Sequence, residues 1–275
     1  INDTKLLKKI IENYRITTIM HFAGLINVLE SKRNKKKYYH NNVFGTLNLL
    51  KIIKNSSVKN FIFSSSASVY GNINKPAKET MKARPMNYYA FTKLKSENLI
   101  KKFSKKYKFY YGILRYFNVA GASPSGKIGI IDKKNKSLFK ILAKQSLKKK
   151  PIINIFGNKH KTRDGTCIRD FIHIYDLASI HLKTLDVIEK KKKSILINCG
   201  YGKGYSILEI ANLFKKYINN KTIIRFLKPR KEEIVNSYSD INKMKKLLKW
   251  KPEYNNIKKI LKSSIDWEKK INDNL

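Results

Sequence analysis

Apolar positions spaced three and four residues apart alternate along the chain with short, nearly continuous apolar runs. Leu6, Leu7, Ile10 and Ile11 predict a helix reaching about Arg15, and residues 17–22 read as a short strand ending at Ala23-Gly24. Val43, Leu47, Leu50 and Ile53 predict a helix over 41–53. A buried strand over 58–63 follows and is expected to break into Ser64-Ser65-Ser66. Beyond a loop with Pro76 and Pro85, a long helix is expected at about 87–107 and a strand at 110–116. Three successive helix–strand units predict a parallel α/β sheet with crossover connections.

From Asn118 the texture changes. Residues 120–129 are rich in Gly, Ser and Pro and read as a loop. Helices are expected at 137–148, 175–188 and 207–217, and strands at 152–156, 194–198 and 222–226. A polar loop spans 157–165, and two helices near 241–248 and 257–269 close the chain. No internal repeat or low-complexity linker interrupts the pattern.

With 275 residues and 42% hydrophobic content, the chain can fill one large core or two modest ones. Its apolar runs, such as Phe61-Ile62-Phe63, are far too short to span a bilayer, so no membrane partner is expected. No secretory leader is evident, and Cys167 and Cys199 do not suggest a disulfide framework, which fits a reducing cytoplasm. The net charge of +41 invites a nucleic-acid reading, but the cations are 52 lysines and eight arginines spread over the whole length. Base readout relies on arginine forks. Lysine runs such as 148–150 and 190–193 fall at expected helix ends, where cations suit the helix dipole. Nucleic acid is therefore not an expected partner, whereas small anionic substrates would gain from the field.

Candidate chemistry centres on Tyr89 and Lys93. Four residues apart at the start of a helix, they project from one face roughly 6 Å apart. A lysine there can hold a phenol near its ionised form, and a tyrosine with a pKa near 10 is otherwise a poor base at neutral pH. The same spacing also occurs on any solvated lysine-rich helix face. Ser66 ends its strand 23 residues earlier, where a loop could bring its hydroxyl beside the phenol. Alone, it could equally be a strand-end serine making local turn contacts. Together the three form a plausible donor–base–cation set at the carboxyl end of a parallel sheet, where ligands bind in such folds.

Several segments occur in one order from end to end: His-Phe-Ala-Gly (21–24), Asn-Asn-Val-Phe-Gly-Thr (41–46) and Phe-Ser-Ser-Ser-Ala-Ser-Val-Tyr-Gly (63–71). The Tyr-x-x-x-Lys pair, Leu-Arg-Tyr-Phe-Asn (114–118), Arg-Asp-Phe-Ile-His-Ile-Tyr-Asp-Leu-Ala (169–178) and Trp250-Lys251-Pro252 follow. In these motifs the chain resembles the extended short-chain dehydrogenase/reductase family, and within it the nucleotide-sugar 4-epimerases. The resemblance implies a Rossmann-type doubly wound parallel sheet over 1–118 that holds NAD. It also implies a smaller α/β domain over 119–275 for a nucleotide sugar, with segments near 167–200 packing back onto the first. Carried over by position, Phe22, Ala23, Gly24, Asn41, Ser66, Tyr89, Lys93 and Phe117 would contact NAD. Ser66, Tyr89, Asn118, Arg169, Arg230 and Ser237 would line the sugar-nucleotide site, and no metal is implied. For Arg169, a salt bridge with Asp170 or Asp176 is the competing reading, and His21 and His173 are expected to be structural.

The implied reaction is epimerisation at C4 of a UDP-sugar by transient oxidation; another sugar-nucleotide epimerase or decarboxylase of the same family, or a noncatalytic nucleotide-sugar-binding remnant, is the competing reading. In the epimerisation Tyr89 is the base, with its pKa lowered by Lys93 and the nicotinamide charge. A 4-keto sugar turns over in the site and takes the hydride back. Ser66-Ala67 stands where the related dehydratases carry Thr-Asp-Glu, which disfavours elimination. A small Ser237 beside the sugar 2-substituent implies room for an N-acetyl group. The resemblance also implies a homodimer through the helices near 41–55 and 87–107.

The chain departs from the family pattern at Ile26 and at Ser137-Leu138. It also departs at Pro-Arg-Lys-Glu-Glu-Ile (229–234), where contacts from Arg230, Lys231 and Glu233 are expected only in part. The family's opening Gly-x-x-Gly-x-x-Gly loop does not occur in this sequence, whose register begins roughly 55–60 residues later. That loop cradles the NAD pyrophosphate. The expectation is therefore a portion of a longer enzyme, or, if these residues are the whole product, an inactive and poorly stable protein.

Overall fold

The computed structural model describes residues 1–132, 134–231 and 233–273. Helix α1 (Thr4–Asn13) and strand β1 (Thr18–His21) open the fold. Helices α2 (Val28–Arg33), α3 (Lys35–Tyr38) and α4 (Gly45–Ile53) then lead to β2 (Asn60–Ser66). A π-helical turn over Tyr39–Phe44 joins α3 to α4. Next come α5 (Tyr88–Tyr107), β3 (Tyr110–Tyr116), β4 (Asn118–Ala120), α6 (Leu138–Ser146) and β5 (Ile152–Phe156). They are followed by β6 (Ile168–His173), α7 (Ile174–Lys191), β7 (Ile195–Cys199), β8 (Gly204–Ser206) and α8 (Ile207–Tyr217). Strands β9 (Ile223–Leu227) and β10 (Asn236–Ser237) and helices α9 (Asn242–Leu248) and α10 (Ile257–Asp273) complete the fold.

Strands β1, β2, β3 and β7 pair in that order, all parallel. Side chains on a strand alternate between faces, and β2 uses both. Phe61 and Phe63 enter a core with Leu50, Ile53 and Ile100, from α4 and α5. Ile62 enters the opposite core with Leu114, Ile180, Ile197 and Met244, under α7 and α9. Helices therefore cover both faces, giving the expected Rossmann-type doubly wound sheet. Two smaller sheets stand apart from it: β10-β6-β4, with β8 antiparallel to β6, and the parallel pair β5-β9. Phe139, Leu142, Ile153, Phe171, Phe214 and Ile260 fill the core among these smaller strands, α6, α8 and α10. Among the described residues, no helix is long and apolar enough to cross a membrane.

The structure differs from the sequence pattern in instructive places. Strand β2 does not break at the serines. Ser64, Ser65 and Ser66 stay in register with Leu114, Arg115 and Tyr116 of β3. A buried hydroxyl is tolerated in a strand when it is hydrogen-bonded. Here Ser64 pairs with the Tyr116 hydroxyl at 2.7 Å, Ser65 with Glu97 at 2.6 Å and Ser66 with Ser68 at 2.8 Å. Strand β6 is hidden from the apolar pattern because it carries Arg169, Asp170 and His173. Asp170 is 0% exposed, yet its carboxylate accepts bonds from the Tyr201 and Gly202 amides and from Ser239. On α1 only Ile11 is buried, while Leu6 and Ile10 remain exposed.

Candidate active site

The carboxyl ends of β1, β2 and β3 meet the first turns of α5. Asn87 starts that helix: its backbone is extended and its side chain accepts the Ala90 amide at 2.9 Å, as an N-cap does. The next turn is pinned by the Tyr89 amide donating to Ser31 Oγ at 3.1 Å and by Thr92 Oγ1 donating to the Tyr89 carbonyl at 2.7 Å. The half-buried Tyr89 is thereby set to line the same cavity as Ser66, whose hydroxyl pairs with Ser68. Burial raises the Tyr89 pKa, and the neighbouring Ser66 hydroxyl opposes that rise.

Lys93, 4% exposed, sends its Nζ to the Ser64 carbonyl at 2.8 Å and over the Phe63 ring at 4.9 Å. Burial lowers its pKa to about 8 against the pull of Glu97. In the protein on its own the ammonium donates to a main-chain carbonyl, and burial decides the direction of the phenol's shift.

Two groups of residues flank this centre. On one side a cavity of about 1030 Å³ is lined by Ser66, Tyr89, Phe117, Asn118, Arg169 and Arg230, among others. A smaller recess of about 270 Å³ shares Ser66, Phe117, Asn118, Arg169 and Arg230, and adds Lys231 and Ser237. Asn118 is held by its amide donating to the Asp170 carbonyl at 3.0 Å. Arg169 donates to the carbonyls of Ile168 and Val235 and lies 3.8 Å from Glu233. Neither suggested partner engages it, since Asp170 is taken by Ser239 and Asp176 by Tyr201, Glu253 and Tyr254. Arg230 lies over Phe156, its Cζ 3.9 Å from the ring centroid. Ser237 pairs with Arg169 across β10 and β6.

On the other side lie Phe22, Ala23, Gly24 and Asn41, off the large cavity. Phe22 is 59% exposed and rests on His181, with centroids 5.0 Å apart. A Cβ on Gly24 would sit 3.3 Å from Lys93 Nζ and 3.5 Å from Asn42 Oδ1, so glycine keeps this turn open beside the lysine. Asn42, rather than Asn41, fixes the turn: its side chain accepts the Leu25 amide at 2.8 Å and donates to the Leu25 carbonyl at 3.0 Å. The π-helical turn at 39–44 places it there, and such turns recur at functional sites.

The two histidines are built into the scaffold. His21 is 4% exposed and bonds to Thr46, and burial, aided by the Lys93 charge, lowers its pKa to about 3. His173 accepts the Tyr175 amide, meets Ser263 and stacks on Tyr254 with centroids 4.5 Å apart.

Sequence reading missed two supports. Glu97 joins Arg115 and Ser65 beneath the site, although its place four residues beyond Lys93 on the same stripe was a usable signal. Tyr116 bridges Ser64 and His181. His181 Nδ1–H donates to the Leu177 carbonyl at 2.8 Å, so its Nε2 accepts from Tyr116, and Ser64 in turn donates to Tyr116.

A doubly wound sheet with a Ser–Tyr–Lys set at its carboxyl edge defines a nucleotide-cofactor enzyme of the short-chain dehydrogenase type. The model of the NAD dependent epimerase/dehydratase family matches residues 1–200, and the chain belongs to that family. UDP-glucose 4-epimerase of Dictyostelium discoideum is 38% identical over 260 residues, spanning 93% of this chain and 75% of that protein. The crystal structure of UDP-glucose-4-epimerase from Stenotrophomonas maltophila with bound NAD and formylated UDP-arabinopyranose superposes with a TM-score of 0.94 at 29% identity. It covers 99% of this chain and 82% of that one. The UDP-Glc/GlcNAc 4-epimerase of Campylobacter jejuni gives a TM-score of 0.82 at 36% identity, covering 98% and 82%.

Proposed function

We propose that this chain catalyses NAD-dependent epimerisation at C4 of a UDP-sugar, interconverting UDP-glucose and UDP-galactose. The observation that carries the reading is the Ser66–Tyr89 hydroxyl pair at the end of β2, facing a cavity with Arg169 and Arg230 on its walls. Gly24 brings bare backbone close to Lys93 Nζ, an edge suited to receive the nicotinamide–ribose half of the cofactor. Phe22, Ala23, Gly24, Asn41, Lys93 and Phe117 would hold it there. Bound NAD supplies the acceptor for the C4 hydride and the source from which the hydride returns.

Every other task falls to side chains. Tyr89 takes the O4 proton and later gives it back, while Ser66 donates to the same oxygen. Lys93 keeps a positive charge behind the phenol. Arg169 and Arg230 grip the diphosphate with planar forks that match its oxygens. Asn118 lines the same path, and Ser237 leaves the recess beside the sugar open. The 4-keto sugar stays tethered by its diphosphate while it rotates to present its other face. In this reading residues 1–118, extended by β7, serve the cofactor, and the remaining carboxyl-side residues serve the nucleotide sugar. The homodimer would form through α4 and α5, and Phe44, 45% exposed in the π-helical turn that leads into α4, adds apolar surface. Two free, buried cysteines suit a reducing cytoplasm.

The test is UDP-galactose turnover by the enzyme and by Tyr89→Phe, with UDP binding measured in parallel. General-base loss should cost about 10²–10⁴ in kcat and leave UDP affinity unchanged. A Tyr89→Phe enzyme within threefold of the parent would overturn the assignment.

A further inference from the structure

We propose that His160, Cys167 and Glu233 form a binding site for a thiophilic divalent cation of the Zn²⁺ class on the wall of the large cavity. Their ligand atoms, an imidazole nitrogen, a thiol sulfur and a carboxylate oxygen, all lie within 4.8 Å of one another. They come from three separate segments: the 157–165 loop, the residue before β6, and the stretch leading to β10. Cys167 is 2% exposed. His160 Nε2 and Glu233 Oε2 are both shut off from solvent and lack a hydrogen-bond partner among the described residues. Buried polar atoms are normally paired. Two side chains of the cluster thus carry an unpaired, solvent-shielded atom, which points to a ligand that the three groups share.

The surroundings support that ligand. Glu233 divides its oxygens: Oε1 faces Arg169 at 3.8 Å, and Oε2 is the orphan. The imidazole is positioned by the backbone of its loop. The His160 amide donates to the Gly165 carbonyl at 3.0 Å and the Thr162 amide to the His160 carbonyl at 2.8 Å. Gly157 has φ +78°, and a Cβ there would lie 2.3 Å from His160 Nε2, so only glycine admits the ring in this place.

The donor set selects the ion. Nitrogen, sulfur and carboxylate oxygen suit Zn²⁺, whereas Mg²⁺ and Ca²⁺ take oxygen ligands. Tetrahedral bonds of about 2.0–2.3 Å place ligand atoms roughly 3.5 Å apart, so these groups must close by about an ångström. On binding, the Cys167 S–H proton leaves to solvent and the sulfur binds as thiolate. Thiolate and carboxylate then offset the ion's two positive charges, with the Arg169 guanidinium 3.8 Å from the same carboxylate, and the imidazole stays neutral. Cys167 and Glu233 line the cavity, so a water molecule can complete the coordination from that side. The ion would fasten the 157–165 loop to the segment carrying Arg230 and Glu233.

The test is a Co²⁺ titration of the tag-free, chelator-treated enzyme, read by absorbance, with Zn²⁺ as competitor. One equivalent of Co²⁺ should produce a thiolate-to-cobalt charge-transfer band that Zn²⁺ abolishes. Cys167→Ala should lose the band, and His160→Gln should weaken binding by about tenfold or more. Cys199→Ala, which alters the other buried thiol, should keep both. Circular dichroism reports whether each variant is folded, and His160→Gln decides the matter if Cys167→Ala is not. No band under a large excess of Co²⁺ would overturn the site, as would a band that survives Cys167→Ala or unchanged affinity in His160→Gln.

Discussion

Replacing Glu97 by Gln should destabilise the protein far more than its distance from the cavity suggests. Glu97 lies on the same stripe of α5 as Tyr89 and Lys93, with its side chain 0% exposed. It receives Arg115 Nε at 2.9 Å, Arg115 Nη2 at 2.6 Å and Ser65 Oγ at 2.6 Å. Arg115, 4% exposed, also covers the Tyr70 ring at 4.7 Å, and its Nη1 already lacks a partner among the described residues. Glutamine keeps the shape but turns an amide N–H₂ toward the guanidinium and removes the counter-charge. A buried charge stripped of its partner typically costs about 3–5 kcal/mol. That exceeds the roughly 1 kcal/mol of a core Ile→Val change and corresponds to a Tm drop on the order of 10 °C. Urea unfolding of the parent, Glu97→Gln, and the double variant Glu97→Gln/Arg115→Met would measure it. The double variant removes the stranded charge and should recover at least half of the loss. Because Ser65 adjoins Ser66, kcat at a temperature where the single variant stays folded should also fall, by about tenfold. A single variant within 1 kcal/mol of the parent would refute the reasoning.

Two further outcomes follow from other residues. The enzyme should turn over UDP-GlcNAc and UDP-GalNAc as well as UDP-glucose and UDP-galactose, and Ser237→Tyr should lose only the acetylated pair. Product chromatography reads both, and no acetylated turnover by the parent would sink the assignment of Ser237. His21 has a folded pKa of about 3 against 6.5 unfolded, so between those values the unfolded chain binds more protons and stability is lost as pH falls. Between pH 7 and 5 that loss is on the order of 2 kcal/mol and should vanish in His21→Gln. Asp170, raised to about 6 by burial, acts in the opposite direction in both proteins, so the difference between their urea midpoints isolates His21.

The sequence made some of this legible and concealed the rest for physical reasons. Apolar periodicity located α5, β3, β5 and α8 to within a residue, because each buries a whole face or stripe. It failed where polar residues are buried and satisfied locally. The three serines of β2 resembled a turn, and β6, with Arg169, Asp170 and His173, resembled a loop. Short helices such as α2 leave too few turns for a period to register. At the site, motif order singled out Ser66, Tyr89 and Lys93 as candidates, but not that Lys93 would be drawn to the Ser64 carbonyl. Asn41 and Asn42 are identical in type and adjacent, so only the π-helical turn shows that Asn42 fixes the Gly24–Leu25 turn. The cluster of His160, Cys167 and Glu233 has no metal-binding spacing in sequence, since its members meet only through the fold.

The central claim is that C4 is oxidised and reduced by one hydride that never leaves the site. Turnover of UDP-galactose deuterated at C4, followed by mass spectrometry and NMR of the UDP-glucose formed, tests it most directly. Transient oxidation predicts that the deuterium is retained at C4 and that unlabelled substrate gains none there in D₂O. Loss of the label to solvent, with solvent deuterium appearing at C4, would contradict it by showing proton exchange at carbon in place of hydride transfer.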